Sequence, residues 1–237
     1  MIAIENVTKT YGKKQPLNEV SLKISKGEVF GLLGKNGAGK STLLSILATI
    51  AFPESGTAVI NGLDTRKQKK KVRKCIGYVP QDIALWEQNT VKENMILFSK
   101  LSKTKASEES LKKLCSEVQL DDQWNEKVAK LSGGMKRKLN IAAALIHDPD
   151  ILLMDEPTVG IDLQSKLEIN RFVKRLADRG KTVVYTTHDL NEILTLFDRI
   201  GVLKNGSFVY TGTAGEAKER YSGGESGDRW IYTLLNG

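Results

Sequence analysis

Residues 34–42, with the sequence GKNGAGKST, have the types and the spacing of a phosphate-binding loop. They fit the pattern GxxxxGK[ST] in full. A strand-like run at 28–33 precedes the loop and a helix-like run at 43–47 follows it. The glycines let amide groups face inward, and the helix N-terminus adds donors and the positive end of its dipole. The sequence therefore predicts phosphate binding at this loop.

Two side chains of the loop have separate predicted tasks. Lys40 is placed to reach the β and γ phosphates of a nucleotide, and the Ser41 hydroxyl is placed to bind Mg²⁺. The other nucleotide-binding candidates in the loop are Gly34, Asn36, Gly37, Ala38, Gly39 and Thr42. A glycine-rich turn that binds nothing is the alternative, and the full set of residues at the required offsets disfavours it.

Polar side chains follow three further predicted strands where each strand ends. Gln81 follows the predicted strand at 75–80, Asp155 and Glu156 follow the one at 151–154, and His188 follows the one at 182–186. Ligands of open α/β sheets bind beyond the carboxyl ends of the strands, so these side chains are expected to face the phosphate loop. Adjacent carboxylates at a buried strand end are costly unless they meet a cation. The residues thus describe an ATP or GTP hydrolase, with Mg²⁺ on Ser41 and Asp155 and with Glu156 orienting the attacking water.

Length and composition set broader bounds. The 237 residues, 40% hydrophobic, are enough for one folding unit with a real core. The net charge of +8 permits an acidic partner without requiring one. We interpret the basic run at 66–74 as a solvated helix face rather than a lipid or nucleic-acid patch. Cys75 and Cys115 lack metal-ligand or redox spacing, which favours a reducing compartment.

The sequence predicts no membrane insertion of its own. The first twelve residues show no basic segment followed by an apolar one, so no signal peptide is expected. The longest apolar-leaning run, 43–52, is far shorter than the ~20 residues that a membrane-spanning helix needs. Any work at a membrane would therefore require another subunit to hold the chain there.

The chain also carries the LSGG sequence at residues 131–134. With it, the motifs resemble the nucleotide-binding subunit of ATP-binding cassette (ABC) transporters over about residues 2–212. LSGG between the two Walker motifs is not a feature of kinases or GTPases. The stretch 132–162, in which Met135 stands where the family usually has Gln, resembles the branch that serves ABC-2-type exporters.

That resemblance implies an α/β fold with one ABC-type ATPase domain over 1–237. It consists of a RecA-like P-loop NTPase core with a mainly parallel central sheet, an N-terminal antiparallel β-subdomain and an inserted α-helical subdomain. We place the core at 1–81 and 150–212 and the helical subdomain at 82–149. The tail at 213–237 shows no clear periodicity and is left unassigned, with no sign of an appended regulatory domain.

The resemblance also implies roles for residues at matching positions, with ATP and Mg²⁺ as cofactors. The implied roles are adenine stacking for Tyr11, Walker A for Lys40 and Ser41, the Q-loop for Gln81, the signature for Ser132, Gly133 and Gly134, Walker B for Asp155, the catalytic glutamate for Glu156, the D-loop for Asp162 and the switch histidine for His188. The predicted catalytic residues are accordingly Glu156, His188, Lys40 and Gln81. The predicted metal ligands are Ser41, Gln81 and Asp155.

The implied partners are a second cassette and a separate transmembrane permease, with no nucleic acid. In a head-to-tail pair of cassettes, Ser132 and Gly134 would meet the γ-phosphate bound by the other subunit. The chain would then lie on the inner, cytoplasmic face of the cell membrane, attached through the permease around residues 82–98. The transported substrate would be set by the permease, which is a different chain.

Three alternatives remain open at this stage. The first is a soluble ABC ATPase that acts on the ribosome or on nucleic acid, which the basic run favours. Such relatives usually carry two cassettes in one chain or a long coiled-coil insert, and this chain has neither. A non-hydrolysing ATP-gated module is disfavoured by the intact Glu156 and His188, and a small-molecule kinase is disfavoured by LSGG.

Overall fold

Two β-sheets organise the described part of the chain, residues 1–221 and 229–236, in this computed structural model. The strands are β1 Ile2–Tyr11, β2 Lys14–Ile24, β3 Val29–Leu33, β4 Ser55–Ile60, β5 Leu63–Asp64, β6 Ile76–Val79, β7 Ile151–Met154, β8 Thr182–Thr186, β9 Arg199–Lys204 and β10 Ser207–Gly212. The α-helices are α1 Lys40–Leu47, α2 Lys69–Cys75, α3 Val91–Leu101, α4 Glu108–Glu117, α5 Gly133–Ala144, α6 Leu163–Asp178, α7 Leu190–Thr195, α8 Ala214–Tyr221 and α9 Arg229–Asn236. Within these residues no helix has the length and apolar character to cross a membrane.

The smaller sheet is antiparallel and has the strand order β2-β1-β4-β5. Apolar and polar residues alternate along its strands, so that one face is buried: Ile2 and Ile4 lie on the face that packs against the core. Asn61 and Gly62 connect β4 to β5 with φ values of 50° and 77°, as an Asn-Gly hairpin turn requires. The predicted N-terminal antiparallel subdomain is confirmed.

The larger sheet has the order β10-β9-β3-β8-β7-β6, with parallel pairing from β9 to β6 and only β10 antiparallel. Every residue of β3, β7 and β8 is buried, as expected of parallel strands covered on both faces. This confirms the predicted mainly parallel central sheet. It also aligns the carboxyl ends of β3, β8, β7 and β6 along one edge.

Helices α3, α4 and α5 lie between β6 and β7, as the predicted helical insert requires. Helix α3 begins with a capping box: Thr90 Oγ1 accepts from the Glu93 amide at 3.2 Å, and Glu93 Oε2 accepts from the Thr90 amide at 2.7 Å. Ser132 is the N-cap of α5. That helix ends at Ala144, with Leu145 as its C-cap residue.

The tail that the sequence left unassigned contains α8 and α9. Trp230 of α9 is 1% exposed and packs with Ile200, Val202 and Ala217 in a separate apolar cluster against β9 and α8. Both helices have only eight residues, too few for a helical period to stand out beside a Gly-rich segment. The second Ser-Gly-Gly sequence, at 222–224, which we treat as a coincidence, lies outside the described residues.

The buried Trp230 gives a stability prediction for the tail. We expect Trp230→Ala to lower the free energy of unfolding by about 3–5 kcal/mol, because it removes a large, enclosed side chain. Trp86, which is 47% exposed, provides the matched control, and Trp86→Ala should cost clearly less. Urea unfolding followed by circular dichroism measures both variants. Equal losses would mean that the enclosed Trp230 contributes no more to stability than an exposed tryptophan.

Candidate active site

The loop between β3 and α1 is shaped by glycines with positive φ. Gly34 has φ 148°, and a Cβ there would lie 2.4 Å from the Leu203 carbonyl oxygen. Gly39 has φ 110°, and a Cβ there would lie 2.1 Å from the Pro16 carbonyl oxygen. Both positions therefore require glycine, for its backbone conformation and for the space. The loop thus has the strand–loop–helix context that the sequence predicts.

A cavity of about 610 Å³ opens at this loop, a volume within the range of small-molecule sites. It is lined by Tyr11, Lys14, Gln15, Pro16, Asn36, Gly37, Gly39, Lys40, Ser41, Thr42, Gln81 and Glu156. Tyr11 is half exposed, with Lys9 Nζ 4.8 Å from the centre of its ring. Gly34 and Ala38 are buried and do not line the cavity, so they shape the loop beneath it.

Glu156 lies at the centre of the predicted catalytic residues. Its Oε1 is 3.7 Å from Lys40 Nζ and 3.9 Å from His188 Nδ1, and its Oε2 accepts from Gln81 Nε2 at 3.3 Å. Lys40 Nζ also donates to the Gly34 carbonyl at 2.7 Å. The parallel strand order brings these residues together, because each lies on the segment that follows the carboxyl end of β3, β6, β7 or β8. Glu156 and Lys40 are buried, whereas the His188 side chain is 63% exposed.

Thr186, the last residue of β8, is a site residue that sequence reasoning missed. Its hydroxyl donates to Asp155 Oδ1 at 2.7 Å and accepts from the Glu156 amide at 2.7 Å. It thereby fixes both acidic residues, and it supports the positive φ of 45° at Glu156. Threonine is common in strands, so the only signal in the sequence was a hydroxyl at the end of a strand beside an acidic pair.

Arg137 of α5 was also missed. Its buried guanidinium donates to the carbonyl oxygens of Pro80 at 2.8 Å and of Gln81 at 2.6 Å. These contacts tie the helix that begins at the LSGG sequence to the segment that carries Gln81. Burial lowers the pKa of Arg137. An arginine on a polar helix face gives no sequence signal that it turns inward.

The residues around Asp155 fit a magnesium ion. The Asp155 carboxylate is 4% exposed, and Ser41 lies in the first turn of α1 within the cavity wall. Mg²⁺ prefers oxygen ligands and usually takes one or two protein side chains together with phosphate oxygens. The described residues contain no group of three or more His, Cys, Asp or Glu that could enclose a metal on their own. The donor set therefore suits a metal that is shared with a phosphate ligand.

The LSGG and D-loop residues do not line this cavity. Ser132 accepts from the Met135 amide at 3.2 Å, and Asp162 caps α6 by accepting from the Ser165 amide at 2.9 Å. That backbone hydrogen bond lowers the pKa of Asp162. A Cβ on Gly134 would lie 2.0 Å from Ser165 Oγ, so glycine is what allows α5 and α6 to begin side by side. Gly133 is exposed.

The fold and the loop define the class of protein, a P-loop nucleotide-binding α/β domain. A family model described as ABC transporter matches residues 17–159. The linearmycin resistance ATP-binding protein LnrL of Bacillus subtilis is 42% identical over 230 residues, which cover 94% of this chain and 72% of that protein. The Nod factor export ATP-binding protein I of Rhizobium etli is 40% identical over 213 residues, which cover 89% of this chain and 67% of that protein.

Solved structures agree with these matches. A dimeric ATP-binding cassette in a post-hydrolysis state bound to ADP and Pi aligns with a TM-score of 0.81 and 32% identity, over 90% of this chain and 98% of that one. An ATP-binding subunit of an ABC transporter aligns with a TM-score of 0.87 and 25% identity, over 99% of both chains. The chain belongs to the ABC transporter family, as an ATP-binding subunit that hydrolyses ATP. The resemblance seen in its motifs is confirmed.

The geometry at Thr186 predicts a joint loss of stability and activity. Thr186→Val keeps the shape but leaves the Asp155 carboxylate and the Glu156 amide without their shared partner. We expect the free energy of unfolding to fall by about 1–3 kcal/mol, and ATP hydrolysis to fall with it. Thr186→Ser keeps the hydroxyl and is the matched control. Denaturant unfolding and a phosphate-release assay test the pair, and identical behaviour of Val and Ser would exclude the bridging role.

Proposed function

We propose that this chain powers export through a separate membrane permease, by closing head to tail with a second cassette around ATP. The main support for this proposal is that α5, the helix that begins in the LSGG sequence, starts away from the phosphate cavity of its own chain. Two similar proteins are named for Nod factor export and for linearmycin resistance, which supports an outward direction. The substrate would be chosen by the permease.

Within one chain, the proposed roles follow from the positions around Glu156. Phosphoryl transfer needs charge neutralisation and a positioned water, with little covalent chemistry. Lys40 would hold the β and γ phosphates, and the Glu156 carboxylate would orient the attacking water. Gln81 and His188 flank that carboxylate on either side and would keep it aligned.

The nucleotide and its metal would occupy the cavity at the loop. The base would stack on Tyr11, and the phosphates would contact Asn36, Gly37, Gly39, Ser41 and Thr42, with Gly34 and Ala38 shaping the loop beneath. Mg²⁺ would be held by Ser41, Asp155 and Gln81, and when bound it supplies positive charge to the phosphates. Aromatic stacking tolerates different bases, so preference for ATP would come from other contacts.

The second half of the site would come from the other cassette. A helix N-terminus is a ready anion site because its amides and its dipole favour negative charge. Ser132 and Gly133 are exposed at the N-terminus of α5, Asp162 is exposed at the start of α6, and Gly134 is buried where the two helices meet. In the pair of cassettes, the contacts to the γ-phosphate would be completed by four residues of the facing chain: Ser132, Gly133, Gly134 and Asp162. Hydrolysis would remove that shared anion and weaken the pair.

A dimerisation experiment tests this arrangement. Glu156→Gln should slow hydrolysis and trap an ATP-bound dimer, which light scattering after gel filtration detects as a doubled mass. Adding Ser132→Arg to that variant should abolish the dimer while the monomer still binds ATP, because the arginine blocks only the facing surface. Ser107→Arg, at the exposed N-cap of α4, is the matched control and should leave the dimer intact. Lost ATP binding by the Ser132→Arg monomer would instead place Ser132 in its own chain's site.

The permease would bind beside the Gln81 segment. A groove of about 220 Å³ there is lined mainly by residues of β6, α3 and α5 and of the loop between β6 and α3, including Tyr78, Ala84, Phe98 and Leu101. Leu101 is 62% exposed and Trp86 is 47% exposed. Apolar side chains around a groove suit a helix from another protein. The chain would therefore be held at the cytoplasmic face of the membrane through this contact.

The second candidate, a soluble ATPase acting on the ribosome or on nucleic acid, is favoured by one observation. Helix α2 exposes every basic residue of its sequence KKKVRKC, and only Val72 is fully buried. An exposed basic helix face is also an ordinary solvated surface. The two candidates differ in what the chain binds, so one capture experiment separates them.

Capture from native cells tests the transporter proposal. The tagged chain should retain a multi-span membrane protein from detergent-solubilised membranes, and that partner should stimulate ATP hydrolysis. Leu101→Asp should lose the partner, whereas Val209→Asp, at an exposed apolar position on β10, should keep it. Recovery with ribosomes or nucleic acid, and without a membrane partner, would favour the second candidate.

A further inference from the structure

Glu192 of α7 is a buried carboxylate with no described ion pair. It is 0% exposed, and its partners in the described chain are neutral. Its Oε1 accepts from Thr158 Oγ1 at 2.7 Å, from the Tyr185 hydroxyl at 2.8 Å and from Asn170 Nδ2 at 3.4 Å. Its Oε2 accepts from Thr187 Oγ1. The carboxylate thus joins α7 to three other segments: the loop after β7, helix α6 and the end of β8.

Burying the Glu192 carboxylate costs free energy, which is offset only when all of its hydrogen-bond donors are in place. A buried charge without a partner is strongly unfavourable, so the donors around Glu192 must all be aimed at it. Burial raises the pKa of Tyr185 well above its usual range, and the charge of Glu192 raises it further. Tyr185 therefore stays protonated, and its hydroxyl donates a hydrogen bond to the carboxylate. The segments are held in one relative arrangement by these donors.

Glu192 binds the end of β8 on the face opposite to the one that contacts the acidic pair Asp155 and Glu156. Successive side chains of an extended strand point to opposite faces. Tyr185 and Thr187 contact Glu192, whereas Thr186 between them contacts Asp155 and the Glu156 amide. The point at which the chain leaves the strand toward His188 is therefore fixed on both faces.

His188 lies between two anchored neighbours. Thr187 Oγ1 contacts Glu192 and also accepts from the Asp189 amide at 3.0 Å. Asp189 accepts from Lys166 Nζ of α6 at 2.6 Å and from the amides of α7. The His188 side chain itself is exposed, and its charged contact in the described chain is Glu156. Its position is thus set by the residues beside it.

We propose that Glu192 is a positioning residue that holds the His188 segment and the Glu156 segment in register for ATP hydrolysis. Thr187, one residue before His188, and Thr158, two residues after Glu156, both donate to this one carboxylate. Losing it lets the two segments move independently. The role rests on the functions proposed above for Glu156 and His188, and it does not depend on a permease or on the direction of transport.

A double-mutant cycle tests the proposal. Glu192→Gln keeps the shape but replaces an acceptor oxygen by an amide donor among hydroxyl donors. A small misplacement of reacting groups slows the reaction. We therefore expect kcat to fall about tenfold or more, while KM for ATP changes less than about twofold. In the His188→Ala background the same substitution should lower kcat by less than about twofold, because the register between the two segments matters for turnover only when His188 is present. A structural role alone would give the full tenfold loss in both backgrounds.

Glu28 provides the matched control. It is another buried carboxylate, 7% exposed, bound to Arg199 at 3.0 Å and to the Ser25 amide at 2.7 Å, away from the cavity. Glu28→Gln should lower the melting temperature and leave kcat within about twofold. If Glu192→Gln does not fold, Tyr185→Phe removes one donor and should show a smaller loss of kcat with the same non-additivity.

The outcomes separate this proposal from the one on which it rests. Unchanged kcat in Glu192→Gln, or multiplied losses in the double variant, would overturn the positioning role while Glu156 and His188 keep theirs. Normal turnover by His188→Ala or Glu156→Gln, or absent turnover in the wild-type chain, would overturn both. Loss of kcat with intact KM and non-additivity with His188→Ala supports the positioning role.

Discussion

Parallel pairing of β3 with β8, of β8 with β7 and of β7 with β6 sets the geometry on which the rest of the site depends. Each of these strands ends at the same edge, and each end is followed by one part of the proposed site: the glycine-rich loop, His188, the acidic pair and Gln81. Side chains that are far apart in sequence therefore approach Glu156 to between 3.3 and 3.9 Å. Any change of strand order would disperse them.

Charge burial is the main cost of this arrangement. Lys40, Asp155 and Glu156 are 5%, 4% and 9% exposed, and a buried charge needs partners to be tolerated. The Gly34 carbonyl meets the Lys40 ammonium, and the Thr186 hydroxyl meets the acidic pair. The loop glycines, the strand-end threonine and the ion pair of Lys40 with Glu156 thus form one interdependent unit.

The helical insert extends that unit toward other molecules. Arg137 joins α5 to the Gln81 segment, and the close approach at Gly134 joins α5 to α6. Helix α6 in turn contacts the His188 segment through Lys166 and the Glu192 cluster through Asn170. The surfaces proposed to meet the permease and the second cassette are therefore connected to Glu156 by direct contacts between rigid elements.

The phosphate loop, the capping box at Thr90, the Asn61-Gly62 hairpin and the buried strand runs were all predictable from the sequence. Each is specified by neighbouring residues, through backbone conformation, local hydrogen bonds or periodicity. The tertiary structure alone decided that Thr186 bridges the acidic pair, that Arg137 turns inward, that Trp230 anchors the tail and that Glu192 accepts from donors on three other segments. These contacts join residues remote in sequence, and Thr, Arg, Trp and Glu carry no local pattern that identifies their partners before the chain has folded.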